Sequence, residues 1–147
     1  MTIQEALQKG ISAHKAGRLQ EAEELYSVIL SENPMHQDAN HNMGILVYGM
    51  GKIKESVPFF KSALESNPTN PQYWVSYIDT LISAKRIPDA INILNQAKTY
   101  GVKEKFLKRF EIIVKKFNSD LSTQYKNQEP LKDQLKPIIK LLNEKVG

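Results

Sequence analysis

The stretch MGILVYGMGKIKESVPFFKSALESNP, from Met43 to Pro68, decides the fold. Laid on the chain at a shift of 34 residues, it meets itself on both sides. Upstream, Gly44 falls on Gly10, Gly51 on Gly17, Ser56 on Ala22 and Phe60 on Tyr26. Ala63 falls on Ile29, and Asn67-Pro68 on Asn33-Pro34. Downstream, Ser56, Phe60 and Ala63 fall on Ala90, Leu94 and Ala97. Several independent coincidences at one shift define an internal repeat.

Each unit reads as two helices. Thr2 with Glu5 three places on is a capping box, and Leu7 and Ile11 follow at helical spacing. Gly17 breaks the chain, since glycine takes the positive φ that follows a helix end. A second helix runs from about Leu19 to Glu32 with Ala22, Leu25, Tyr26, Ile29 and Leu30 on one face. Asn33-Pro34 stops it, because the residue before a proline is pushed out of the helical region. The next unit repeats the plan: Asp38 as the cap, Met43, Leu46 and Val47 as the stripe, Gly51 as the break. Its second helix carries Val57, Phe60, Ala63 and Leu64 and stops at Asn67-Pro68. Pro58, about six residues into that helix, deletes one backbone bond and should bend it.

These units resemble tetratricopeptide repeats, a family whose repeat length is 34 and whose pattern puts small residues where helices cross closely. Met43-Gly44, Val47, Gly51, Phe60, Ala63 and Pro68 match that pattern, with Ser56 in place of alanine. The first unit matches at Gly10, Gly17, Ala22, Tyr26 and Pro34, with Ala6 where an aromatic is usual. The third has Trp74, Ala90 and Ala97. It departs at Ile78, Lys85 and Val102, which replace two glycines and a proline, so a tighter or shifted helix crossing is expected there. The expected fold is all-α: a right-handed solenoid of three antiparallel helix pairs, a capping helix and one further C-terminal helix. The expected repeats are 3–36, 37–70 and, degenerate, 71–102.

Phe106, Phe110, Ile113, Val114 and Phe117 form a helical stripe, with Lys105, Lys108, Arg109, Lys115 and Lys116 largely off it. This marks residues 103–118 as a cap on the third unit. The polar run 119–130 reads as a linker. Residues 131–147 read as a last helix with Leu135, Ile138, Ile139 and Leu142 on one face. Pro137 should kink it or delay its start. Its helix-then-glycine form is that of the first half of a further, truncated repeat. An unpaired apolar stripe also makes self-association through this helix an expectation.

The composition fits a soluble globular chain. Of 147 residues 41% are hydrophobic and 24% charged, and none is cysteine. The absence of cysteine excludes disulfide scaffolds, thiol nucleophiles and zinc fingers. No apolar run is long enough to span a bilayer, and a cytoplasmic, bacterial protein is expected. The net charge of +4 sits at the C-terminal end. Residues 1–36 carry 3 basic and 5 acidic side chains, whereas residues 103–147 carry 11 and 6. Nucleic acid or an anionic membrane could use that lysine-rich end. Only three of the basic residues are arginine, the better phosphate fork, and nucleic acid is not the expected partner.

No catalytic constellation emerges. His36 and His41 are five apart, where a helical metal pair needs three or four, and both read as solvated. Gly44 to Lys52 has a displaced lysine, no following Ser or Thr, and a helix rather than a strand before it, so it is not a phosphate loop. No metal, cofactor or enzymatic activity is expected.

What remains is a surface. The resemblance implies that the first helix of each pair lines a concave groove. Its groove-facing positions here are Gln4, Leu7, Gln8, Ile11 and His14, then His41, Asn42, Ile45 and Tyr48, then Val75, Ser76, Asp79 and Ile82. The expected binding residues are His41, Asn42, Ile45, Tyr48, Asp79, Gln8, Ile11 and Ser76. Such a groove suits an extended segment of a partner protein. The family's chaperone-tail clamp is not expected, since its five positions read Leu7, Ile11, Asn42, Gln72 and Ser76 and only Asn42 fits. The asparagine ladder of O-linked N-acetylglucosamine transferases would read Gln8, Asn42 and Ser76. His41-Asn42-Met43-Gly44 is similar to those repeats, which implies an alternative: the substrate-recognition arm of a larger bacterial glycosyltransferase.

Overall fold

The computed structural model describes residues 1–125, 136–138 and 140–144. Its helices are α1 (Ile3–Lys15), α2 (Leu19–Glu32), α3 (Gln37–Gly49), α4 (Ile53–Ser66), α5 (Pro71–Ser83), α6 (Ile87–Tyr100) and α7 (Glu104–Tyr125). Residues 136–138 and 140–144 are helical as well, and the described residues contain no strand. The chain divides into two compact units, 1–85 and 86–147.

In the first unit α1 packs on α2, α3 on α4, and α5 against α4, while α2 and α1 both contact α3. The starts of α1, α3 and α5 are satisfied by side chains. Thr2 Oγ1 accepts from the Glu5 N–H at 3.1 Å, and Asn70 Oδ1 accepts from the Gln72 N–H at 3.0 Å beside Pro71 at the first helical position. At α3 the cap is His36, whose Nδ1 accepts from the Ala39 N–H at 3.1 Å. His36 is therefore a cap rather than a solvated loop residue. Asp38 is not the cap; it lies in the first turn, where its charge favours the positive end of the helix.

The breaks fall where the repeat puts them. Gly17 and Gly51 have φ of +81° and +82°. Lys85, their counterpart in the third unit, holds a φ of +60° and so keeps the turn without glycine. That left-handed conformation costs a side-chain-bearing residue about 1–2 kcal/mol. α4 runs unbroken through Pro58, which is exposed, so the backbone carbonyl it leaves unpaired can meet water.

Small residues admit large ones at the helix crossings. A Cβ on Gly10 would lie 2.7 Å from the Tyr26 ring, and one on Gly44 would lie 2.8 Å from the Phe60 ring. Ala22, Ser56, Ile29 and Ala63 are fully buried around them. The loops between pairs are locked in a repeated way. Asn40 Nδ2 donates to the Pro34 carbonyl at 2.9 Å. One repeat later, Trp74 Nε1 donates to the Pro68 carbonyl at 2.8 Å. Two different side chains at equivalent positions thus satisfy equivalent carbonyls.

In the second unit α6 packs on α7, with Leu94, Ala97, Leu107, Phe110 and Val114 buried. Lys98 Nζ meets Glu111 Oε1 at 2.6 Å across the pair. α6 ends at Gly101, with φ +104°, and the Val102 N–H closes back on the Ala97 carbonyl at 2.9 Å. The expected boundary at residue 118 is corrected: α7 continues to Tyr125, through the first half of the expected linker. Phe117, Asn118, Leu121 and Ser122 stay half-buried and extend the inner stripe. Asn118 Nδ2 donates to Asn143 Oδ1, and Leu142 beside it is buried. The last helical residues therefore fold back onto α7. The rest of the expected linker (126–130), and 131–135, 139 and 145–147 of the expected last helix, lie outside the described residues.

Candidate functional site

The site is built on α3 and α5, the first helices of the second and third repeats. Three contacts join them, each 35 residues apart. The Tyr73 hydroxyl donates to Asp38 Oδ1 at 3.1 Å. His41 Nε2 and Ser76 Oγ lie 2.8 Å apart, and so do Tyr48 Oη and Ser83 Oγ. The offset exceeds the repeat by one because each residue meets the neighbour of its own equivalent.

His41 is the centre of this seam. Its ring lies 4.8 Å from the Tyr73 ring and edge-on to Phe60 at 5.5 Å. Gln72 Nε2 donates to Ser76 Oγ at 3.0 Å, which leaves the serine hydrogen for Nε2 of a neutral imidazole. Burial pushes the His41 pKa below the ordinary imidazole value, and the nearby Asp38 carboxylate opposes this in part. Tyr73 is pushed up to about 12, chiefly by burial and then by Asp38. His41, expected to face a ligand, is thus turned inward and engaged. Leu7 is likewise buried in the core, and Ile11 packs half-buried against it.

The residues left open cluster. Ile45 and Tyr48 keep 42% and 37% of their surface exposed, although both are large and apolar. With Ser76 and Asp79 from α5 they line an open cleft of about 150 Å³, floored by Phe60 and completed by Thr80. Four of the expected residues therefore converge on one cleft. Asn42 lies half-buried on the same helix face, and among the described residues no hydrogen bond holds its amide. Gln8 is exposed on α1. Phe60 and Thr80 were not foreseen at the site. Phe60 reads from sequence as a crossing residue, which it also is, and Thr80 gives no signal because its hydroxyl is spent on the Ser76 carbonyl at 2.7 Å. Among the described residues no cluster of three or more His, Asp or Glu could hold a metal, and no helix is long and apolar enough to cross a membrane.

Stacked helix pairs with glycine-relieved crossings, and an exposed face on their first helices, define a helical-repeat protein. Residues 47–104 match the model of the tetratricopeptide repeat family. MamA from Desulfovibrio magneticus superposes over 97% of this chain and 77% of its own, with a TM-score of 0.63 and 12% identity. The type III secretion chaperone SycD of Yersinia enterocolitica, in complex with a peptide of the translocator YopD, covers 97% of this chain and 90% of its own (TM-score 0.59, 9% identity). The Thermobaculum terrenum O-GlcNAc transferase covers 81% of this chain with 22% of its own (TM-score 0.59, 17% identity). Residues 47–104 thus carry the tetratricopeptide repeat, and the chain shares the fold of these solved structures.

Proposed function

We propose that the chain is a non-catalytic interaction scaffold that holds an extended segment of a partner protein along the first helices of its repeats. The observation that carries this is the cleft between α3 and α5, where Ile45 and Tyr48 stay open to solvent on a rigidly joined pair of helices. A preformed surface of this kind pays little ordering cost on binding. Tyr48 offers area and a polar handle at once, and the Asn42 amide can pair with a peptide backbone. The solved SycD complex, with its peptide, supports the reading by analogy of fold. A cytoplasmic, bacterial setting belongs to the same proposal.

The test is a random extended-peptide library panned against the protein. The double change Asn42→Ala, Tyr48→Ala should weaken selected peptides at least about tenfold and leave the helical circular dichroism unchanged. Undiminished binding by the double variant refutes the groove.

The match to the O-GlcNAc transferase favours a second reading, a recognition arm of a larger glycosyltransferase. The intact mass in the source cells separates the two. A mass near 16.8 kDa removes the arm reading.

A further inference from the structure

The polar side chains around the cleft between α3 and α5 are already engaged within the protein. Ser76 Oγ meets His41 Nε2 at 2.8 Å and accepts from Gln72 Nε2 at 3.0 Å. The Thr80 hydroxyl donates to the Ser76 carbonyl at 2.7 Å, and Tyr48 Oη lies 2.8 Å from Ser83 Oγ. Asp79 likewise has an interaction partner inside the chain. Every polar side chain that lines the cleft thus has an internal partner. What the cleft leaves unmatched is apolar. Ile45 and Tyr48 remain exposed, Phe60 forms the floor, and the contact with Ser83 holds the Tyr48 ring in place as a wall. The volume of about 150 Å³ is that of a site admitting one benzene-sized group.

Charge and polarity together decide what such a cleft can take. A glutamate or aspartate would stand beside Asp79 as a like charge. A lysine or arginine would have to compete with the partner that Asp79 already has. A neutral polar group would give up its water for side chains that are already paired, and a polar group buried without a partner is costly. An apolar side chain breaks none of these internal contacts, and it covers Ile45, Phe60 and the Tyr48 ring at once. We infer that this cleft selects partner segments carrying one uncharged apolar side chain, of leucine, methionine or phenylalanine size, seated on Phe60 between Ile45 and Tyr48. The inference rests on the peptide-groove reading and adds the chemical class of the side chain recognised.

The experiment uses immobilised heptapeptide pools with degenerate flanks and one fixed central residue: norleucine, phenylalanine, serine, lysine or glutamate. The full chain should bind the norleucine and phenylalanine pools about tenfold better than the other three, as burial of one such side chain provides. Ile45→Ser removes one apolar wall at an exposed position, so the helical circular dichroism should be unchanged. That variant should cut the norleucine-to-serine ratio at least about threefold while binding of the serine pool is kept. Equal binding of the norleucine and serine pools, a strongest pool of lysine or glutamate, or an apolar preference that survives Ile45→Ser overturns the inference. If Asn42→Ala, Tyr48→Ala still weakens binding in that case, the groove itself stands. If no pool binds, or if the double variant binds every pool as before, both fall.

Discussion

Replacing Gly44 with alanine sets two known effects against each other at one atom. Alanine is the better helix former by about 1 kcal/mol, so by propensity alone Gly44→Ala should stabilise α3. The added methyl, however, would stand 2.8 Å from Phe60 Cε1 and 2.9 Å from Cδ1 and Cζ. Ordinary carbon contacts begin near 3.5 Å, so the ring must retreat by about 0.6 Å or more. It has little room to do so: Phe60 is buried and the His41 ring stands edge-on to it. Overpacking of this kind costs about 1–3 kcal/mol. The expected net loss is about 1 kcal/mol, a fall of some 4–8 °C in Tm for a unit of this size. Gly49, at the end of the same helix, is the control, because a Cβ there meets nothing within 4 Å. Thermal and urea denaturation of Gly44→Ala, Gly49→Ala and Gly44→Ala, Phe60→Leu should rank Gly49→Ala as the most stable. The double variant should lose less than the sum of its parts, since leucine vacates the space. Gly44→Ala matching Gly49→Ala in stability would refute the account of the crossing. Because Phe60 also floors the cleft, the same variant should weaken peptide binding.

Other perturbations test other joints. His41 has a lowered pKa in the folded chain, so its contribution is full above about pH 6.5, the unfolded value, and fades as the pH falls through the folded one. The urea midpoint should therefore drop on acidification to a greater extent in the wild type than in His41→Gln. Lys85→Gly should raise stability by about 0.5–1 kcal/mol, because the left-handed φ of +60° costs glycine nothing; an unchanged or lower midpoint counts against strain at this turn. Leu142→Ala should cost about 2–5 kcal/mol of the contact holding the last helical residues. Hydrogen exchange should then rise in the second half of α7, around Asn118, and not in α3. Tyr73→Phe should lower stability by about 0.5–1.5 kcal/mol and remove the late tyrosine from an ultraviolet alkaline titration, since Tyr73 is pushed up to about 12.

The fold was legible because a repeat announces itself many times. Gly44 and Phe60 fall on Gly10 and Tyr26, and the Asn-Pro stops at 33–34 and 67–68 punctuate the helices. The site was legible only by face. Helical spacing places His41, Ile45 and Tyr48 together but does not say which of them a neighbouring helix will claim. Ser76 and Tyr73 claim His41, while Ile45 and Tyr48 stay partly open to solvent. The end of α7 was hidden by composition. Residues 119–125 are mostly polar and look like a connector, yet Leu121 and Ser122 continue the inner stripe of Phe117 and Asn118. Polar character marks solvent only where no partner packs, and Asn118 pairs with Asn143, 25 residues away. The His36 cap was missed because aspartate two residues later is the commoner capping type.

The two joints of the first unit differ in mechanical character. Where α3 meets α5, three directional bonds hold the register. Where α1 meets α3, among the described residues no side-chain hydrogen bond crosses, and Leu7, Met43 and Val47 supply greasy contact in the shared core. Greasy contact resists separation but tolerates sliding; aligned bonds resist both. The first unit is thus a spring with one stiff coil and one compliant one. A bound chain would find a fixed gauge at Ile45 and Asp79, and near Gln8 a jaw that yields to the thickness of whatever enters.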